Sequence, residues 1–218
     1  LGTFGHEASL AADINDKGQV VGLAYNDPPC RDSSKAFVWK DGKAIDIGLY
    51  KGRMVSVSGI NNRGQVVGDA DAIVGLLWDN KSSMQDLGHL GKGEDLTIPR
   101  SINNKGQIVG ESHTVAFIWQ AEKMTELPTL PEMQASRAWA INDSGQVAGS
   151  SYNLGYVEKK PAKRACLWDK GKIIDLGTLG EDWSDARAIN NKKQVVGASA
   201  VPASKPDEKT ARAFIWED

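Results

Sequence analysis

The sequence predicts an all-β protein, a five-bladed β-propeller with four antiparallel strands per blade, in a single domain over residues 1–218. Three observations carry this expectation. A nine-residue motif occurs five times without gaps, beginning at Ile14, Ile60, Ile102, Ile141 and Ile189 and ending at Gly22, Gly68, Gly110, Gly149 and Gly197. Each copy is followed by a short apolar segment closed by a tryptophan: Trp39, Trp78, Trp119, Trp168 and Trp216. The motif isoleucines lie 46, 42, 39 and 48 residues apart. Four short strands repeated at roughly 40–50 residues is the pattern of a propeller blade.

The elements follow in order within each repeat. Ile14-Asn-Asp-Lys-Gly-Gln-Val-Val-Gly22 reads as a hairpin. The Asn-Asp pair and the glycine tolerate positive φ in the turn, and Gln-Val-Val-Gly returns as the second strand. Lys193 replaces the turn glycine in the fifth copy, so that turn is expected to be strained or differently shaped. The turn asparagines are expected to bond nearby backbone as Asx turns. The third strand is Ala36-Phe-Val-Trp39 and its counterparts, whose tryptophans recur once per blade as inter-blade core would. The fourth carries Asp46-Ile-Gly48, Asp86-Leu-Gly88, Glu126-Leu-Pro128 or Asp175-Leu-Gly177. Gly2 lies 12 residues before Ile14, which matches the spacing from that step to the next isoleucine. The N-terminal strand is therefore expected to complete the C-terminal blade, leaving no sheet edge at the seam.

The pattern Ser-x-Ala-x-x-Ile-Asn-x-x-Gly-Gln-x-x-Gly, then Ala-Phe-x-Trp, then Asp-Leu-Gly-x-Leu-Gly resembles the HAF-repeat family, bacterial probable extracellular repeats. Ser184 to Gln194 and Asp175 to Gly180 carry the resemblance best. Lys35, Val74, Val115, Arg164 and Arg212 stand where the family has its histidine. The resemblance implies a secreted β-propeller, extracellular or periplasmic, and supplies no activity.

Composition narrows the function classes. A net charge of −2 argues against nucleic acid, which needs a concentrated basic surface. No apolar run reaches about eighteen residues, so no membrane span is expected. There is no nucleophile elbow, HExxH, phosphate loop or Cys-x-x-Cys. The three histidines, His6, His89 and His113, stand outside the repeat. No catalytic residue, metal ligand or cofactor is therefore assigned. Cys30 and Cys166 fall in non-adjacent blades, so no disulfide is expected between them. A 218-residue domain buries enough core to fold without one, and a monomer is expected.

Residues that break the repeat carry the functional expectation. The connections Tyr25–Lys35, Ser151–Arg164 and Ser199–Arg212 are long and variable, as recognition loops on a rigid scaffold are. Two positions before each motif isoleucine stand Ala12, Ser58, Arg100, Trp139 and Arg187. Four positions before it stand Leu10, Ser56, Ile98, Arg137 and Asp185, and Trp183 precedes the last of these strands. Arg100, Arg137, Trp139, Trp183, Asp185 and Arg187 are the candidate ligand-binding set. Arginine forks would hold a carboxylate or sulfate, and tryptophan would stack on a sugar. The competing expectation is an inter-blade staple in which Arg137 pairs with Asp185. Strand alternation, which places the arginines on the isoleucine side, favours that staple. The leading functional expectation is a non-catalytic module for a glycan, envelope component or protein. The alternatives are a hydrolase using carboxylates or histidine at the channel mouth, and a purely structural repeat segment.

Overall fold

The computed structural model describes residues 2–26, 34–79, 84–91, 96–155, 163–202 and 210–217. Among these residues the protein is all-β, with nineteen strands in five antiparallel sheets. The first sheet is β1 (Ala8–Ile14), β2 (Val20–Tyr25), β3 (Lys35–Lys40) and β4 (Lys43–Asp46). The second is β5 (Val55–Ile60), β6 (Val66–Ala70), β7 (Val74–Trp78) and β8 (Gln85–Asp86). The third is β9 (Thr97–Ile102), β10 (Ile108–Ser112), β11 (Val115–Gln120) and β12 (Lys123–Glu126). The fourth is β13 (Ala135–Ile141), β14 (Val147–Tyr152), β15 (Lys163–Asp169) and β16 (Lys172–Asp175). The fifth has three strands, β17 (Ser184–Ile189), β18 (Val195–Val201) and β19 (Thr210–Trp216). No helix among the described residues is long and apolar enough to cross a membrane.

Each sheet is a meander in chain order, so its two faces follow from strand alternation. One face carries the motif isoleucine, the first motif valine and the third-strand aromatics. The other carries the second motif valine and the residue before the tryptophan. Successive sheets stack by joining unlike faces. Val21 and Val38 of the first sheet pack on Val57, Ile60 and Val66 of the second. Val67 and Leu77 of the second meet Ile102, Ile108, Phe117 and Trp119 of the third. Val109 faces Ile141, Val147, Cys166 and Trp168, and Ala148 and Leu167 face Val195, Phe214 and Trp216. A side chain of this kind contributes about 1.5–3 kcal/mol when fully buried. The motif's hydrophobic residues therefore act between repeats rather than within them.

The hairpin turns add a polar link to each step. In each turn the asparagine Oδ1 accepts from the backbone two and four residues on, as at Lys105 N and Gln107 N for Asn103. Its Nδ2 donates to the motif glutamine and, across the interface, to the main-chain oxygen of the next repeat's asparagine. Asn15 thus reaches Asn61, Asn61 reaches Asn103, Asn103 reaches Asn142 and Asn142 reaches Asn190, all at 2.9–3.0 Å. A second rung runs parallel to it. The amides of Asp16, Asn62, Asn104 and Asp143 donate to the side-chain oxygens of Asn62, Asn104, Asp143 and Asn191. The Asn104 amide holds the Asp143 carboxyl below its ordinary range. That contribution is complete above the unfolded value and is lost as pH falls through the folded one. The five turns line one polar cavity of about 410 Å³.

Three expectations meet the structure differently. The Asx turns form as expected, but the bond to the next repeat was not foreseen. Lys193 keeps the shared turn, with its amide on Asn190 O, and accepts the left-handed conformation at φ 67°. The turn is strained rather than reshaped. The N-terminal residues pair with no strand of the fifth sheet. Residues 2–7 lie outside the strands, and Phe4 packs its ring 4.5 Å from that of Phe37 in the first sheet. Trp119 and Trp168 are buried, while Trp78 and Trp216 only partly cover their clusters. Cys166 is a free, buried thiol whose pKa burial pushes up to about 12, and Cys30 lies outside the described residues. So does most of each long loop, across 27–33, 156–162 and 203–209.

Three stability outcomes follow. Asn103→Ala removes a buried amide that serves two repeats and is expected to cost about 3 kcal/mol or more in urea unfolding. Asn190→Ala should cost about 1 kcal/mol less, because the exposed Asn190 side chain spans no second interface. Lys193→Gly relieves a left-handed non-glycine residue and should stabilise by about 1 kcal/mol, raising Tm by roughly 2–4 °C in calorimetry. It also removes the partly buried Lys193–Asp169 pair at 3.7 Å and the Lys193 ammonium 5.8 Å over the Trp216 ring, two long contacts that offset part of that gain.

Candidate functional site

The candidate site is set by a backbone irregularity shared by all five repeats. The first strand of every sheet carries a β-bulge, and the extra residue is Ala12, Ser58, Arg100, Trp139 or Arg187. A bulge leaves one residue out of the ladder and turns its side chain away from strict alternation. The last motif glycine lies at the bulge on the neighbouring strand. A Cβ on Gly110 or Gly149 would lie 2.1 Å from the main-chain oxygen of Ile98 or Arg137. This close approach, rather than a left-handed φ, is why the motif ends in glycine.

The bulge also corrects the expectation drawn from alternation. Ile102 and Ile141 are buried in the inter-sheet cores, whereas Arg100 and Trp139 are half-buried and Arg187 is exposed. Three sheets bring these side chains together. The guanidinium carbons of Arg187, Arg100 and Arg137 lie 4.2, 4.9 and 5.2 Å from the Trp139 ring centroid. Trp139 is thus flanked by three guanidiniums.

Two buried carboxylates anchor the guanidiniums. Glu111 accepts from Arg100 Nη2 at 2.6 Å through Oε1 and from Arg137 Nε through Oε2. Asp185 Oδ2 lies 2.7 Å from Arg187 Nη2 and 3.3 Å from Lys163 Nζ. The expected Arg137–Asp185 staple is not the pair that forms. Burial alone would lower the Arg137 pKa, but the hydrogen bond and charge of Glu111 outweigh it and the pKa is raised. Burial raises the Tyr152 phenol, against the opposing pull of Arg137, whose guanidinium lies 5.8 Å from that ring.

Glu111 and Lys163 are the members that sequence reasoning missed. A signal for Glu111 was present. It follows the motif glycine, where the other repeats have Leu23, Asp69, Ser150 and Ala198. In the ladder those positions pair with Leu10, Ser56, Arg137 and Asp185, the positions four before the isoleucine, and Glu111 pairs with Ile98. Reading both halves of this cross-strand layer would have found it. Trp183, by contrast, is not brought into the cluster by any stacking contact. Its carbonyl accepts from Ala200 N and Ser199 Oγ, and it bridges to Lys163.

Among the described residues the cluster holds four cations, Arg100, Arg137, Arg187 and Lys163, against two carboxylates, Glu111 and Asp185. It therefore carries a local positive excess on a chain of net charge −2. Among the described residues, Arg100 Nε, Trp139 Nε1, Ser150 Oγ and Asp185 Oδ1 are buried atoms that meet no hydrogen-bond partner. Among the described residues no group of His, Cys, Asp or Glu gathers as metal ligands would. No protein-family model matches the chain, and no curated protein matches it.

Removing the Glu111 charge exposes its role. Glu111→Gln leaves Arg100 and Arg137 without their shared counter-charge and is expected to destabilise by about 1–3 kcal/mol in urea unfolding. That is less than a fully buried pair would lose, since both guanidiniums are about a third exposed.

Proposed function

We propose that the five sheets are blades of a β-propeller, and that the protein is a secreted binding module for a carboxylated or sulfated glycan. The observation that carries the ligand class is the convergence of three guanidiniums on one indole with more positive than negative charge around it. Guanidinium forks match carboxylate and sulfate geometry, and the Arg187 fork is the exposed one. Each of the two carboxylates is occupied by cations, which suits holding the cluster in shape. The stacked meanders and their common turn cavity support the propeller arrangement. The resemblance to the HAF-repeat family supports an extracellular or periplasmic setting.

The test is calorimetric titration with oligogalacturonate and with a sulfated disaccharide, using maltotriose as the neutral control. Binding of an acidic sugar, weakened by salt, is expected. Arg187→Ala should reduce affinity about tenfold, equivalent to about 1.4 kcal/mol, alongside a modest fall in Tm from the loss of the nearer partner of buried Asp185. Equal binding of neutral and acidic sugars, or full affinity in Arg187→Ala, would refute the assignment.

A further inference from the structure

The sheet-to-sheet interface occurs four times, and each terminal sheet presents one unmatched half of it. On the first sheet, Ile14 is 63% exposed, although its counterparts Ile60, Ile102 and Ile141 are buried. Ala11 on the same face is exposed as well, although its counterparts Val57, Ala138 and Ala186 are buried. On the fifth sheet, Val196 and Ile215 are 43% and 63% exposed, whereas Val21, Val67, Val109, Val38 and Leu167 at the same positions are buried. The first sheet shows the face that receives a preceding sheet, and the fifth shows the face that packs on a following one.

The asparagine ladder ends at the same two places. Asn190 Nδ2 makes its turn bond to Gln194 and reaches no other sheet, and Asn190 is the exposed member of the five. At the other end, Asn15 O accepts from Gly18 within its own turn, while each later asparagine oxygen also accepts an amide from the sheet before. Apolar surface and hydrogen-bonding groups are thus unmatched together, in the register that the other four interfaces use.

We infer that the two faces form a socket for one further four-stranded sheet of this same repeat, supplied in addition to these five. Its second-valine face would cover Ile14 and Ala11, and its isoleucine-aromatic face would cover Val196 and Ile215. Its turn asparagine would donate to Asn15 O and accept from Asn190 Nδ2, which completes the asparagine ladder at both ends. Because all five turns line one cavity, the two bare faces bound the same remaining sector, and one sheet bridges them. This rests on the propeller arrangement proposed above and is independent of the ligand.

The test extends the chain after Glu217 by a second copy of residues 85–128, which carries β8 to serve as a fourth strand of the fifth sheet and then the whole third sheet, β9–β12. The extended protein should melt at least about 5 °C higher, and the dye-binding apolar surface of the parent should disappear. Asn190→Ala and Ile215→Lys should each remove most of that gain. A control copy carrying Asn103→Ala and Ile102→Lys should confer little of it. No gain in Tm with dye binding retained would overturn the socket. Two further outcomes would do the same. One is a concentration-independent dimer of the parent chain that buries the dye-binding surface. The other is ready disulfide closure of Ile14→Cys with Ile215→Cys in the monomer, tested in a Cys30→Ser background. Small-angle scattering separates the two readings. A parent radius of gyration near about 17 Å without a gain in Tm refutes the socket alone, whereas a much larger one refutes the propeller as well.

Discussion

The structure depends on an asparagine amide that belongs to two repeats at once. Within its own turn, Asn103 closes the hairpin through Oδ1, and across the interface its Nδ2 meets the carbonyl of Asn142. A β-hairpin alone is marginal in water, and four strands of one sheet leave both apolar faces wet. The shared amide ties the local event of closing a turn to the non-local event of docking a sheet. Its polar groups are buried and therefore costly to leave unmade, so a sheet displaced along its neighbour loses the bond and its desolvation together. Stacked valine and leucine surfaces alone would tolerate such displacement far better.

The same register makes a functional surface possible. The bulge in each first strand lies a fixed two residues before the isoleucine, and the glycine opposite it keeps the strands close enough for the ladder to continue. Five equivalent side chains are therefore freed from the cores at one level. In the first two repeats they are alanine and serine. In the other three they are arginine, tryptophan and arginine, and the scaffold brings them within stacking distance. The cluster needs no special backbone of its own, only substitution at a position that the fold already leaves unpaired.

Most of the architecture was legible because it is repeated. Five copies of one motif identify the hairpin turns, the buried valines and the strand order, and the sheets follow them. What the sequence withheld has specific causes. The bulge is invisible to a period of two, so alternation wrongly placed Arg100 and Arg187 with the core isoleucines. The partner of Arg137 could not be read from charge alone. Asp185 lies four residues before its isoleucine just as Arg137 does, but Glu111 approaches from the second strand of the preceding sheet. The ends were misread because spacing suggested that Gly2 continues a strand, whereas Phe4 turns onto Phe37.

The stability of the site and of the stack are therefore one problem. Arg100, Arg137 and Arg187 come from β9, β13 and β17, on three different sheets, and Glu111 joins the first two across an interface. Like charges held around one indole repel, and the cluster persists because Glu111 and Asp185 are buried where their fields are least screened. Those carboxylates hold their positions only while the sheets keep register, which the asparagine rungs enforce from the turn side. An interface that slipped would separate Arg137 from Glu111 and leave a buried carboxylate short of a partner. Strain in the turns and loss of the cationic cluster are in this way coupled through the same sheet-to-sheet contact, and a substitution at either end of the inner strands acts on both.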